Sequence, residues 1–103
     1  MYVVANSNLT AFYQDPAYRD AVPALTVWRD EAKKARWTTP SAVKAQYASA
    51  SIIANNRVMF NIKGNDYRLI VAIAYKMQYV FIKFIGTHQQ YDAVDAATVD
   101  QFK

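Results

Sequence analysis

The sequence predicts an α+β domain in which N-terminal helices pack on a small antiparallel β-meander. In the first half, apolar residues recur every three or four positions over residues 20–36, the spacing of a helix with one buried face. In the second half, the apolar residues of 58–85 alternate or run unbroken, as in strands covered on one or both faces. Turn-forming residues at 63–66 separate two of these runs and favour a hairpin. Helices followed by hairpin-linked strands are typical of the α+β class.

The first elements are a short strand over residues 2–5 and a short helix over residues 9–14. The N-cap candidates for this helix are Asn6, Ser7 and Asn8. Asp15-Pro16 ends the helix, because proline lacks the N–H that a helix interior needs.

The long helix over residues 20–36 tolerates Pro23, which lies in its first turn. Its predicted core face comprises Leu25, Trp28, Ala32 and Ala35. A further short helix over residues 41–47 has Thr39 as its N-cap and Pro40 at its first position.

Three strands are predicted at residues 58–62, 67–75 and 79–85. Val58, Phe60 and Ile62 alternate onto one face of the first strand. The second strand is apolar apart from Arg68, which is the pattern of a central strand. Asp95 is the predicted cap of a last helix over residues 96–102.

Composition limits the classes of protein and of site. A chain of 103 residues, 53% of them hydrophobic, suits one folded domain over residues 1–103. Because cysteine is absent and His88 is the only histidine, we expect no disulfide, no metal centre and no cofactor. No apolar run approaches the roughly 18 residues that suggest a membrane span, and the start lacks a signal-peptide pattern. A cytoplasmic protein without a membrane association is the simplest expectation.

Positive charge is concentrated in the middle of the chain. Residues 33–83 contain nine lysines and arginines and a single acid, Asp66, whereas the two flanking regions are net acidic. A block this basic is typical of a protein that binds a polyanion such as nucleic acid. The alternative is a solvated surface with no partner.

Arg68 is the most specific candidate for a functional residue. An arginine in an apolar strand is costly to bury unless an anion uses its charge, and its planar guanidinium can grip two phosphate oxygens. The alternative is a structural arginine that snorkels at the sheet edge or pairs with Asp66. With Gly64 and Asn65 as the central residues of the hairpin, Asn61 lies opposite Arg68 and Lys63 joins the same polar face.

Lys83 interrupts the third predicted strand. A two-residue turn at Lys76-Met77 would pair it with Ile70 and place it on the face of Arg68, whereas a three-residue turn would place it on the other face. A lysine that protects an edge strand from mispairing is the alternative to a functional cation.

His88 follows the third strand directly, and Tyr91 lies three residues later. Histidine has an unperturbed pKa near neutrality, so His88 is the natural candidate for proton transfer, although a lone histidine is often structural. In a helical turn, the spacing of three places His88 and Tyr91 on the same side.

The remaining candidates are less specific. Tyr67 and Tyr79 could stack on bases or pack in the core. Lys33 and Lys34 form either a solvated helix face or a surface that docks RNA or the ribosome. Predicted RNA-binding residues are Lys63, Arg57, Asn61, Tyr67, Lys33 and Lys34.

The sequence resembles the HigB toxins, which belong to the wider RelE/ParE-like group of bacterial toxins. The resemblance covers nearly the whole chain and is most specific in two segments, GNxYRL at residues 64–69 and FIxFxGTHxxYD at residues 81–92. Further matching positions are residues 56–62, Trp28, residues 31–33, Trp37, Thr39-Pro40 and Val43-Lys44.

The resemblance implies a RelE-like fold and a metal-independent ribonuclease that cuts mRNA during translation on the ribosome. The 2′-OH of the RNA would attack the adjacent phosphorus and leave a 2′,3′-cyclic phosphate. The strand arginine of such toxins corresponds to Arg68, the C-terminal His and Tyr correspond to His88 and Tyr91, and Lys63 and Lys83 match positions that carry cations. The implied catalytic residues are Arg68, His88, Tyr91 and Lys83.

The resemblance also implies the partners. A HigA-type helix-turn-helix antitoxin would neutralise the toxin and repress the operon, so that DNA is contacted only through the antitoxin. Two competing hypotheses are a non-catalytic RNA- or ribosome-binding module and a toxin that acts on DNA gyrase, as ParE-type members do.

Overall fold

The computed structural model describes residues 1–102. Its strands form one five-stranded mixed sheet, and they are β1 (Tyr2–Val4), β2 (Ser51–Ile53), β3 (Arg57–Ile62), β4 (Tyr67–Ala74) and β5 (Tyr79–Thr87). The strand order across the sheet is β1-β5-β4-β3-β2. The β3-β4-β5 meander is antiparallel, as predicted, and β4 is the central strand. β1 pairs with β5 in parallel, and β2 adds an antiparallel edge that the sequence did not predict.

The helices are α1 (Asn6–Tyr13), a 3₁₀ helix (Pro16–Ala21), α2 (Val22–Lys34), α3 (Pro40–Gln46) and α4 (His88–Asp92). The predicted start of α3 is confirmed, since the Thr39 side chain accepts a hydrogen bond from the Ala42 N–H and Pro40 opens the helix. The predicted cap of α1 is wrong. Ala5 is its N-cap and makes no side-chain hydrogen bond, because the chain leaves β1 at Val4 and turns directly into the helix.

One face of the sheet, here called the helix face, packs against the N-terminal helices. Phe60 lies at its centre, with ring centroids 5.4 Å from Trp28 and 6.0 Å from Trp37. The predicted alternation of β3 is confirmed, since the fully buried members of this core include Val58, Phe60, Ile62, Leu25, Trp28 and Ala32. The α+β prediction is therefore correct in class and in the placing of the helices.

The opposite face, here called the tail face, carries a smaller core of Met59, Ile70 and Phe84. The chain after α4 crosses this face as the C-terminal segment, residues 93–102. Val94, Ala96 and Val99 of this segment pack on the smaller core.

The predicted helix over residues 96–102 is wrong, because residues 93–102 form turns. Asp95 does accept a hydrogen bond from the Ala97 N–H, but no helix follows. Carbonyls that a helix would use internally accept hydrogen bonds from β3 and from the turn before it. Arg57 of β3 donates to Ala96 O and Val99 O, and Asn55 of the turn donates to Ala97 O. Tertiary contacts thus override the local cap signal.

The strand registers decide which side chains share a face. Asn61 lies opposite Arg68, as predicted. The turn before β5 is the two-residue alternative, since the Gln78 N–H bonds to Tyr75 O and Ala74 pairs with Tyr79. A β-bulge then shifts the register, so that Ile70 pairs with Phe84 rather than with Lys83. Lys83 remains on the tail face.

Candidate active site

Arg68 is the second residue of β4 and lies between Asn61 on β3 and Gly86 on β5. Its guanidinium carbon is 4.8 Å from the centroid of the Tyr91 ring, which is a cation–π contact. Its Nε is buried and has no hydrogen-bond partner within residues 1–102, and none of the carboxylates described there forms an ion pair with it. The predicted alternative partner, Asp66, instead lies 3.6 Å from Lys63. Within the described chain, the charge of Arg68 is therefore available to a ligand.

Tyr91 reaches Arg68 because α4 begins immediately after β5. The Thr87 hydroxyl accepts a hydrogen bond from the Gln90 N–H, and the Gln90 side chain accepts one from the Thr87 N–H. This capping box fixes the first turn of α4 against the end of the strand. The Tyr91 ring also lies 6.5 Å from the Phe84 ring, measured between centroids, which holds it at the tail face.

Gly86 allows this close seating of α4. A Cβ at Gly86 would lie 2.7 Å from Gln90 Oε1 and 2.7 Å from a ring carbon of Phe84, which is closer than real contacts allow. Gln90 is also tied to the N-terminal region, since its Nε2 donates to Tyr18 Oη at 3.2 Å. Glycine is needed here for close approach, and it lies directly opposite Arg68.

His88 is the first residue of α4 and is about half exposed. Its Nε2 lies 3.4 Å from Asp92 Oδ2, one helical turn away. His88 and Tyr91 lie three residues apart in the single turn of α4. The structure therefore brings Arg68, His88 and Tyr91 to the same end of the sheet.

Lys63 has two acidic neighbours. Its Nζ is 2.7 Å from Asp20 Oδ2 and 3.6 Å from Asp66 Oδ2, and Asp20 raises the pKa of Lys63. Asp20 also accepts a hydrogen bond from the Tyr67 hydroxyl. The hydrogen bonds from Lys63 first, and Tyr67 second, hold the pKa of the Asp20 carboxyl below its usual value. Lys63 would have to leave Asp20 to contact RNA.

We expect the contacts of Asp20 with Lys63 and Tyr67 to make the free energy of unfolding depend on pH in the acid range. A carboxyl with a lowered folded-state pKa adds stability above its unfolded pKa of about 3.9 and loses it as the pH falls through the folded value. Asp20→Asn should therefore lower the urea midpoint at pH 7 and much less at pH 2.5, where Asp20 is protonated in the unfolded state. An equal loss at both pH values would contradict this role of the charge. Asp15→Asn, at another exposed aspartate outside the ion pair, is the control, because asparagine can keep the hydrogen bond that Asp15 Oδ1 accepts from the Ala17 N–H.

The Tyr67 ring is buried in the protein and is not presented for stacking on a base. It is buried on the helix face, with ring centroids 5.8 Å from Phe12 and 6.2 Å from Tyr18. Burial, and then the hydrogen bond to Asp20, raises the pKa of Tyr67 to about 12. Its hydroxyl therefore stays protonated and serves the fold.

Arg57 and Asn61 also have structural partners. Arg57 is buried, and its Nη1 donates to Ala96 O at 3.1 Å and to Val99 O at 2.6 Å. These donors hold the C-terminal segment, and the role of Arg57 in RNA binding stays a prediction. Asn61 Nδ2 donates to Ser49 O at 3.1 Å.

The remaining predicted cations are Lys83, Lys33 and Lys34. Lys83 Nζ is 3.5 Å from Asp100 of the C-terminal segment. Lys33 and Lys34 are exposed at the end of α2, which packs on the helix face, on the other side of the sheet from Arg68. These two lysines therefore do not form one continuous site with Arg68.

Sequence reasoning missed the roles of Gly86, Gln90 and Phe84 in placing Tyr91. Two signals were available. Thr87 and Gln90 have the spacing of a capping box, which predicts a helix start. A glycine inside a strand marks close approach of another group.

A comparison with known families matches residues 21–94 to HigB_toxin, described as the RelE-like toxic component of a toxin-antitoxin system. The chain belongs to this family. The matched region contains Arg68, His88 and Tyr91, and membership of a toxin-antitoxin system implies an antitoxin partner for this HigB toxin. A search of curated proteins finds no match. Within residues 1–102, every helix is too short or too polar to cross a lipid bilayer.

Proposed function

We propose that this HigB toxin is a ribosome-dependent mRNA endoribonuclease that a HigA-type antitoxin neutralises. The observation that carries the proposal is the Arg68 guanidinium, stacked on Tyr91 and without a carboxylate partner in the described chain. Retaining an unpaired cation in a central strand is costly to the fold. An RNA phosphate that binds there would compensate this cost with charge-assisted hydrogen bonds.

The proposed reaction is attack of an RNA 2′-OH on its own 3′-phosphorus. The O2′–P bond forms and the P–O5′ bond breaks, which leaves a 2′,3′-cyclic phosphate and a free 5′-OH. One proton leaves O2′ and another reaches O5′. Arg68 stabilises the charge that develops on the non-bridging oxygens, the role of preorganised cations in phosphoryl transfer. As written, the step uses no metal and no cofactor.

His88 and Tyr91 are the proposed proton-transfer groups. His88 is exposed to solvent, and Asp92 lies 3.4 Å from its Nε2 and can orient the ring. Tyr91 already contacts Arg68, so its hydroxyl can assist at the same phosphate or position the nucleotide. Lys83 can add to the positive potential of the tail face once Asp100 is displaced.

The proposed partners follow from the same function. The ribosome would present a single-stranded codon to the site and supply orientation, which can lower the activation barrier through entropy. The HigA-type antitoxin would carry the helix-turn-helix, so that DNA is contacted only indirectly. We propose that the toxin acts in the cytoplasm, where translating ribosomes are found.

The test is the addition of purified toxin to translating ribosomes and to free mRNA. Cleavage within codons only on the ribosome supports the proposal. Bound but intact mRNA would support a non-catalytic module instead. A loss of DNA gyrase supercoiling with intact mRNA would assign the toxin to a different target.

Gly86→Ala should lower cleavage at least tenfold while the protein stays folded. The added methyl group would displace Gln90 and with it the turn of α4 that carries Tyr91, and small misplacements of a catalytic group are costly to the rate. The measurement is the cleavage rate together with the circular dichroism spectrum. Gly64→Asn is the matched control, because Gly64 has positive φ but open space around it and asparagine tolerates that conformation. Wild-type cleavage by Gly86→Ala would contradict the positioning role.

A further inference from the structure

Three aromatic rings form a row where β1 pairs with β5. The Tyr2 and Tyr79 ring centroids are 5.4 Å apart, and those of Tyr79 and Phe81 are 6.0 Å apart. Tyr2 is 66% exposed and Tyr79 is 37% exposed, and both rank among the most exposed large apolar side chains of residues 1–102. Phe81 is half-buried beside them. Contiguous exposed apolar surface is typical of a binding site, so this row is a candidate for one.

The row lies on the tail face, the same face as Arg68. Side chains at alternate positions of β4 share a face, so Arg68, Ala72 and Ala74 point to the same side. Ala72 pairs with Phe81 and Ala74 with Tyr79. Tyr79 in turn pairs with Tyr2 across the parallel contact. Ala74 lies six positions after Arg68 along β4, a distance of about 20 Å at roughly 3.3 Å per residue.

Lysines flank Tyr79 and Phe81 along the chain. Lys83 Nζ lies 6.0 Å from the centroid of the Phe81 ring, and Lys76 is exposed in the turn that precedes Tyr79. The sequence contains no aspartate or glutamate over residues 67–91 and none before Asp15. Asp100 is the acid that its contact with Lys83 places near the row.

We propose that Tyr2, Tyr79 and Phe81 form a platform on which bases of single-stranded RNA stack, with Lys83 and Lys76 contacting the phosphates. This proposal rests on the proposed function, since it extends the RNA from the site at Arg68 along the tail face. Exposed rings interleaved with cations are the arrangement by which proteins bind single strands with little sequence preference. The rings alone would be enough to bind a protein partner. RNA, a polyanion with flat bases, would contact both the rings and the lysines.

The platform makes a prediction that differs from that for the catalytic residues. Nucleotides that stack some 20 Å from Arg68 contribute binding energy equally to substrate and transition state. Loss of a ring should therefore raise KM and leave kcat nearly unchanged. Loss of Arg68 should lower kcat.

The test measures the affinity of the wild-type toxin for a labelled single-stranded RNA whose 2′-hydroxyls are methylated. Because the nucleophile is blocked, binding is read without cleavage. Tyr79→Ala should weaken binding about tenfold, and Tyr2→Ala less, because base–aromatic stacking is worth about one such factor or more per base. Tyr79→Phe should bind like wild type, since stacking needs the ring and not the hydroxyl. Ile52→Ala, which removes an exposed apolar side chain from β2, is the matched control.

Unchanged RNA affinity in both Tyr79→Ala and Tyr2→Ala would overturn the platform, as would an equal loss in Ile52→Ala. A loss of antitoxin affinity with RNA affinity intact would assign the rings to the antitoxin and also overturn it. The toxin could also bind RNA through the rings but cut no RNA on ribosomes. That result would support the platform and overturn the proposed cleavage. The two proposals therefore fail separately.

Discussion

Arg68→Ala is expected to lower RNA cleavage by about a hundred- to a thousandfold, the usual loss when one preorganised donor to a developing oxyanion is removed. The substitution should leave the protein folded, because Arg68 makes no hydrogen bond or ion pair that holds the described fold together. The lost guanidinium contacts the Tyr91 ring but has no carboxylate partner in the described chain. The measurement is the single-turnover cleavage rate on ribosomes, with the urea midpoint as the test of folding.

Two variants sharpen this result. Arg68→Lys keeps the charge but loses the planar fork, so it should recover only part of the rate. Arg19→Ala removes an exposed arginine of the 3₁₀ helix and should cleave like wild type. A folded Arg68→Ala toxin that cleaves at the wild-type rate would remove Arg68 from the active site.

Arg57→Ala is expected to lower the free energy of unfolding by about 3 kcal/mol, within the range for breaking a buried charged hydrogen-bond network. Arg57 is 8% exposed and holds the carbonyls of Ala96 and Val99. Without it, both carbonyls lose a donor and the C-terminal segment loses its anchor over Met59, Ile70 and Phe84. Urea unfolding followed by circular dichroism measures the change.

The same variant separates a structural arginine from an RNA-binding one. The affinity of folded Arg57→Ala for the methylated single-stranded RNA should equal that of wild type. Arg19→Ala, at an exposed arginine, should change stability by no more than about 0.5 kcal/mol. Wild-type stability combined with weaker RNA binding would restore the role that the sequence suggested.

The parts of the fold that depend on local signals could be predicted from the sequence. Thr39-Pro40 starts a helix because its cap and its proline act within one turn. Asn61 faces Arg68 because the short turn after Lys63 sets the register of the hairpin. The alternation of Val58, Phe60 and Ile62 fixes the face that receives the helices.

The parts of the fold that depend on contacts between distant residues could not be predicted from the sequence. The bulge at Lys83 shifts the register in the middle of a strand, where no turn residue signals it. Asp95 is a sound local cap, but Arg57 takes carbonyls of the residues that follow it. Arg57 and Arg68 are both arginines in apolar strands. Only the structure separates the one that holds the C-terminal segment from the one that has no carboxylate partner within residues 1–102.

The central claim is that the toxin cuts RNA through its 2′-OH with the help of Arg68. The most direct measurement is the chemistry of the new ends in mRNA cut on ribosomes, beside the same mRNA with a single 2′-deoxy nucleotide at the cut position. We predict a 2′,3′-cyclic phosphate and a 5′-OH with the natural mRNA, and no cut at the 2′-deoxy position. A 5′-phosphate end, or an undiminished cut at the 2′-deoxy nucleotide, would contradict the account.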